Sequence, residues 1–322
     1  MDFFSKKEPS ETIDGSAGGQ ISIEALEAYK KGRNYVGNKN FEEAIKEFSQ
    51  ATKLSKNYVE AYIALGEAYY HQKQYKKAIE QYKKALKVSP DFITGYLNMA
   101  IAYKQLGDMP KAQESYQNAL DIEPENISIM GNLGLACLAN EEFNKAEDLL
   151  LKVVKSLPNN STANYNLGLV FYKKKRYDSA VYYFEKAIEL KPGYVQAYKD
   201  LGNIFFVRGM FKESIKYYTI AVEKEPDYAD GFNNLGNAYN NIEKYDEALK
   251  FFRIAIKNNP DIPEPHFGLA TVLETKEMFT EAIEEYKLYL KINKNATNKK
   301  DVLEKIKNLK PLAEYKEGKI NE

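Results

Sequence analysis

The chain has 322 residues, and 46 Lys and Arg balance 46 Asp and Glu, for a formal net charge of zero. A neutral, evenly mixed chain argues against nucleic acid as the main partner, since that calls for a basic stripe. No run of about eighteen apolar residues is present, so no membrane-spanning helix is expected, and a single cysteine builds no disulfide framework.

Residues 1–21 read as a flexible arm, mostly polar and ending in Gly15, Ser16, Ala17, Gly18 and Gly19. The arm lacks the apolar core of a secretory signal, and with the lone Cys137 this predicts a cytoplasmic protein. Phe3 and Phe4 are its only aromatic residues. Two readings of them stay open, a docking motif and chance.

From Ala25 a 34-residue unit repeats eight times without insertion or deletion. The units are 25–58, 59–92, 93–126, 127–160, 161–194, 195–228, 229–262 and 263–296. A period of this length marks a solenoid of stacked supersecondary units. The eighth residue is Gly32, Gly66, Gly134, Gly168, Gly202 or Gly236, with Ala100 and Ala270 in the other two units. Glycine inside a helix costs about 1 kcal/mol relative to alanine, so its recurrence asks for a packing reason. The twentieth residue is Ala in seven units and Ser214 in the sixth. The twenty-fourth is always large: Phe48, Tyr82, Tyr116, Leu150, Phe184, Tyr218, Phe252 and Tyr286. It is expected to fill the space that the small residues leave.

Apolar residues recur at helical spacing in both halves of the unit, as in Tyr62, Leu65 and Tyr69, then Ala78, Tyr82 and Ala85. Proline follows the second half in six units, at Pro90, Pro124, Pro158, Pro192, Pro226 and Pro260, where a helix stop belongs. Each unit therefore reads as helix–turn–helix, and the chain as all-α. Cys137 occupies the eleventh place, which is Tyr, Phe or Leu in the other units, so it reads as a structural thiol.

At these positions the chain resembles the tetratricopeptide repeat family over residues 25–296. The resemblance implies an α-solenoid coiled as a right-handed superhelix, with first helices lining its concave face. The ends differ from the middle, as an array requires. Ala28 and Lys31 stand where other units carry large packing residues, and Tyr289 replaces the small twenty-seventh residue. Residues 297–310 read as a capping helix that turns Val302, Leu303, Ile306 and Leu309 to one side and is stopped by Pro311. Residues 311–322 read as a frayed tail.

No catalytic residue and no cofactor is expected. His71 and His266 are remote in the array and stand in no ligand cluster. No phosphate-cradling glycine loop, dinucleotide turn or HExxH helix occurs. The basic run Lys173–Arg176 falls in the turn between two helices and reads as solvated surface.

The sixth residue of the unit is Asn98, Asn132, Asn166, Asp200 and Asn234 in five consecutive repeats. Asparagine is a mediocre helix former, so amides in register ask for a reason. Two readings stand, bridges between adjacent first helices and a ladder facing a bound peptide. An amide both donates and accepts, so it matches a peptide bond whatever the side chain. The ladder resembles the asparagine ladder of the repeat region of O-linked N-acetylglucosamine transferases, which implies grip on an extended peptide backbone. Asp200 departs from it, because a carboxylate only accepts. The flanking places carry an apolar set, Leu97, Ile101, Leu135, Leu138, Tyr165, Leu169, Tyr172, Phe206 and Val207. A second resemblance, to the carboxylate clamp of chaperone-binding repeats, matches Lys199, Asn203 and Asn234. It fails at Glu264 and Gly268, where the clamp needs cations.

The expected function is thus a non-catalytic adaptor or scaffold holding a peptide or helix of a partner protein in its concave groove. The alternative is a structural subunit of a larger assembly that uses its convex face and ends. The oligomeric state is open.

Overall fold

The computed structural model describes residues 21–316 and Gly318. The arm, with Phe3 and Phe4, falls outside these residues except for Ile21, as does most of the tail beyond Lys316. Among the described residues the structure is helical, without strands.

The chain divides into two compact units, Met1–Pro158 and Asn159–Glu322. The first holds the pairs α1 (Ile23–Gly37) and α2 (Phe41–Leu54), α3 (Val59–His71) and α4 (Tyr75–Val88), α5 (Ile93–Gln105) and α6 (Met109–Ile122), α7 (Ile127–Ala139) and α8 (Phe143–Ser156). The second holds α9 (Ser161–Lys173) and α10 (Tyr177–Leu190), α11 (Val195–Val207) and α12 (Phe211–Lys224), α13 (Ala229–Asn241) and α14 (Tyr245–Asn258), α15 (Pro263–Thr275) and α16 (Phe279–Ile292), then α17 (Lys299–Lys316). Within each unit every helix packs on the next in sequence. Each unit is an α-solenoid of stacked helix pairs.

The small and large places meet inside each pair. A Cβ added to Gly168 would stand 2.7 Å from the Phe184 ring, and one on Gly202 would stand 2.5 Å from Tyr218. Gly134 faces Leu150 and Gly236 faces Phe252 in the same way. Phe48, Tyr82, Phe184, Phe252 and Tyr286 are fully buried by this arrangement. The glycines therefore let two helices approach until a large side chain of the second fills the gap against the backbone of the first.

Every second helix ends at the same place of its unit, two residues before the proline where there is one, as at Val88, Ser156 and Asn258, and at Leu54 and Ile292 without one. The residue directly before proline is disfavoured in helical geometry, and Ser89, Leu157 and Asn259 adopt extended or near-extended backbone (φ −130°, −128° and −149°). The first helix is reversed by a left-handed residue at the fifteenth place of every unit. Those residues are Lys39, Lys73, Gly107, Glu141, Lys175, Gly209, Glu243 and Glu277, with φ from 57° to 75°. Asn126 and Asn160 cap α7 and α9, their side chains accepting from backbone amides.

At the C-terminus two expectations are corrected. The helix does not stop at Pro311 and the tail does not fray there, because α17 runs through Pro311 to Lys316. Its apolar stripe continues one turn further, to buried Ala313, and Lys316 bonds the backbone carbonyl and carboxylate of Glu277. Pro311 itself is on the exposed side. Val302, Ile306 and Leu309 join a cluster with Tyr286 and Tyr289, but Leu303 is 49% exposed. Residues 302, 306, 309 and 313 follow helical spacing, and 303 falls off that stripe.

Candidate functional site

In the first unit the first helices are tied by a buried polar pair. Asn98 on α5 is buried and donates to Glu67 on α3 at 3.0 Å. Burial pushes the Glu67 carboxyl up to about 7, against the opposing pull of the Asn98 hydrogen bond and the Arg33 guanidinium. Asn132, Leu97, Ile101, Leu135 and Leu138 are half-buried. The amide of Asn132 makes no hydrogen bond among the described residues. On the second helices of this unit lies a shallow polar depression of about 500 Å³. There Asn140 donates to Gln113, and Gln113 donates to Glu142 at 2.9 Å.

In the second unit the corresponding bridge joins α9 to α11. The Tyr165 hydroxyl donates to Asp200 at 2.8 Å, and Asn203 donates to the other oxygen of that carboxylate at 3.3 Å. Tyr218 on α12 donates to the Asn203 carbonyl at 2.7 Å. Burial raises the Asp200 carboxyl above its ordinary value, and Lys199, Tyr165 and Asn203 pull it partly back. The Tyr165 ring packs between Tyr194 at 4.7 Å and Phe184 at 5.5 Å. Tyr165 and Asp200 are thus engaged in joining repeats.

Above this network opens a cleft of about 300 Å³ lined by Tyr172, Asn203, Phe206, Val207, Tyr218, Asn234 and Asn237. Four residues singled out from the sequence meet here: Tyr172, Phe206, Val207 and Asn234. Val207 is 59% exposed, while Phe206 rests edge-on against Phe211 at 5.3 Å. The network beneath satisfies Asn203 and the Tyr218 hydroxyl. The side chains of Asn234 and Asn237 have no hydrogen-bond partner among the described residues. The wall is uncharged throughout. Asn166 and Leu169 are half-buried on α9 but do not line the cleft.

Asn203, which the sequence offers only to a carboxylate clamp, and Tyr218 join this cleft, as does Asn237 from the polar groove-face places of its repeat. Asn203 and Asn237, like Glu67, hold the ninth place of their units, one helical turn beyond the asparagine register, and that recurrence was a readable signal. Tyr218 reads from sequence only as a packing residue.

Burial pushes the Cys137 thiol up to about 11, leaving it un-ionised near neutrality. His266 is buried with Nδ1 at 2.6 Å from Glu285. No group of three or more His, Cys, Asp or Glu among the described residues is placed to hold a metal ion. No helix among them is long and apolar enough to cross a membrane.

Models of the TPR repeat match residues 32–73, 66–107 and 202–242. Models of the tetratricopeptide repeat match 93–126, 161–194 and 229–262. Together they cover more than half of the chain, which belongs to the tetratricopeptide repeat family. No curated protein matches the chain. Among solved structures it is similar to the APC/C hetero-tetramer Cut9–Hcn1, with TM-score 0.60 and 16% identity, over 88% of this chain and 57% of that one. It is also similar to PilW, a type IV pilus biogenesis factor, with TM-score 0.59 and 23% identity, over 67% of this chain and 98% of that one. MamA from Desulfovibrio magneticus RS-1 aligns with TM-score 0.50 and 20% identity, over 54% of this chain and 98% of that one. At such identities the likeness is one of fold.

Proposed function

We propose that the chain is a non-catalytic protein-interaction array whose first helices hold an extended segment of a partner protein. The observation that carries this reading is the cleft of the second unit, where unengaged amides of Asn234 and Asn237 stand beside the apolar wall of Tyr172, Phe206 and Val207. Amides with free donors and acceptors suit a peptide backbone, and an apolar wall suits its side chains. The half-buried Asn166 and Leu169 extend the same helix face. Asp200 serves this surface indirectly, by tying α9 to α11, and Asn98 ties α3 to α5 within the first unit.

The test is affinity capture with the wild type and with a variant carrying Tyr172→Ala, Asn166→Ala and Asn234→Ala, read by mass spectrometry. A partner captured by the wild type and lost by the variant, with an unchanged thermal melt, supports the groove. Full retention of every partner overturns it in favour of a structural subunit. For that alternative the relevant observation is Tyr182 on α10, which is 62% exposed.

A further inference from the structure

We propose that the cleft of the second unit selects a basic peptide segment, with one bulky uncharged side chain seated against Phe206 and Val207 and a neighbouring Lys or Arg received by Asp230 and Glu264. This rests on the groove reading and narrows it to a partner chemistry.

The residues that line the cleft bear no formal charge, and the Asp200 carboxylate beneath them is already engaged by Tyr165 and Asn203, so a charged side chain seated there would gain no free counter-ion. An aromatic or large aliphatic side chain loses nothing and removes apolar surface from water. Asn234 and Asn237 then face the backbone on either side of that anchor. The charge lies one turn away. Asp230, Asn234 and Asn237 follow i, i+4, i+7 spacing on α13, so the carboxylate shares the face that carries the two amides. Glu264 holds the equivalent second place on α15, which packs against α13. Neither α13 nor α15 contains a single Lys or Arg. Their third carboxylate, Glu274, is already engaged, accepting from Lys305 at 2.9 Å and from the Tyr286 hydroxyl at 2.7 Å. Asp230 and Glu264 are exposed and form no ion pair among the described residues. A segment leaving the cleft along this face meets unneutralised negative charge, which attracts a cation and repels an acidic tail. One helical turn is about 5.4 Å and an extended residue about 3.3 Å, so the cation falls within about three residues of the anchor.

The experiment uses the purified full chain to select random peptides displayed on phage. The selected peptides are then synthesised and titrated by fluorescence anisotropy. The variants are Val207→Asp at the exposed lip of the cleft, Asn234→Ala with Asn237→Ala, and Asp230→Lys with Glu264→Lys. All change exposed or half-buried side chains, and a thermal melt checks each fold. Selected peptides should share an aromatic or large aliphatic residue with Lys or Arg close by. Val207→Asp should weaken them roughly tenfold or more, and charge reversal should do so at low salt while strengthening a Lys→Glu peptide. Peptides lost by Val207→Asp but indifferent to charge reversal overturn this inference and leave the groove standing. Peptides that bind all three variants as well as the wild type, or no selected peptide at all, overturn both.

Discussion

The phenolic hydroxyl of Tyr165 on α9 donates to the Asp200 carboxylate on α11 at 2.8 Å, across the junction of two successive repeats. The junction of α3 and α5 carries the same device with the chemistry exchanged, an amide of Asn98 on the later helix donating to a Glu67 carboxylate on the earlier one. In both, a buried carboxylate accepts from neutral donors and feels one cation beside it, Arg33 near Glu67 and Lys199 near Asp200. The nearest ammonium to Asp200, that of Lys199, is 3.9 Å away. A buried carboxylate with few donors is sensitive to the loss of any one of them.

Replacing Tyr165 with Phe removes one donor and leaves the ring packing against Tyr194 and Phe184 in place. The variant should lose about 1–3 kcal/mol, because one oxygen of a buried carboxylate loses its partner. Asp200→Asn in the same background should recover part of it. Urea melts of the two variants and the wild type read this out. Equal midpoints for the wild type and Tyr165→Phe would show that the bond contributes nothing net.

Gly168→Leu should destabilise by about 1–3 kcal/mol or more despite the better helix propensity of leucine, because even its Cβ stands too close to the Phe184 ring. Combining it with Phe184→Ala should restore part of the loss by reopening the gap. A circular-dichroism melt of the single variant that matches the wild type would sever the link between the small and large places.

Most of the fold was legible because one period imposes one packing solution eight times, so the glycine and its large partner announce each other sixteen residues apart. The left-handed turn was not legible. Six of its eight residues are Lys or Glu, which carry no conformational signature. Pro311 misled for a related reason: a proline stops a helix only where nothing further along rewards continuing, and here Ala313 is buried beyond it. At the candidate site the face was readable and the partners were not. Periodicity places Asn98 and Asp200 on the same stripe as Asn234, but Glu67 and Tyr165 lie 31 and 35 residues away in the neighbouring repeat. Only the packed structure shows which amides are engaged and which are free.

The left-handed residues themselves give a prediction. A side chain in this region costs about 1–2 kcal/mol, partly offset in the unfolded chain by the greater freedom of glycine. Lys175→Gly (φ 57° in the native protein) should therefore stabilise by about 0.5–1 kcal/mol. Gly209→Ala (φ 73°) should destabilise by a similar amount. Opposite shifts in urea midpoint are the expected reading, and two shifts of the same sign would contradict it.

Removal of residues 298–322 should uncover Tyr289 and its buried neighbours in the last helix pair. It also deletes the Lys305 partner of Glu274. The truncated protein should lose solubility, self-associate in sedimentation velocity and melt earlier from its C-terminal end, since terminal repeats need a polar outer layer. A monomeric truncation with an unchanged melt would show that α17 is not a cap.

The Glu67 carboxyl, pushed up to about 7 by burial, makes the first unit sensitive to pH. A carboxyl in the unfolded chain titrates near 4.5, so between about 4.5 and 7 the folded state holds a proton that the unfolded state has released. Stability from this group is therefore full below about 4.5 and is lost as pH rises through about 7. The whole effect is on the order of a few kcal/mol, each pKa unit being worth about 1.4 kcal/mol. The protein should unfold at lower urea at pH 8 than at pH 5 if other groups contribute little between those values. Glu67→Gln isolates the term, since its neutral amide still accepts from Asn98 and has no proton to lose. The variant should be more stable than the wild type at pH 8 and nearly equal to it at pH 5. A difference between the two proteins that stays constant with pH would show that Glu67 is not the titrating group.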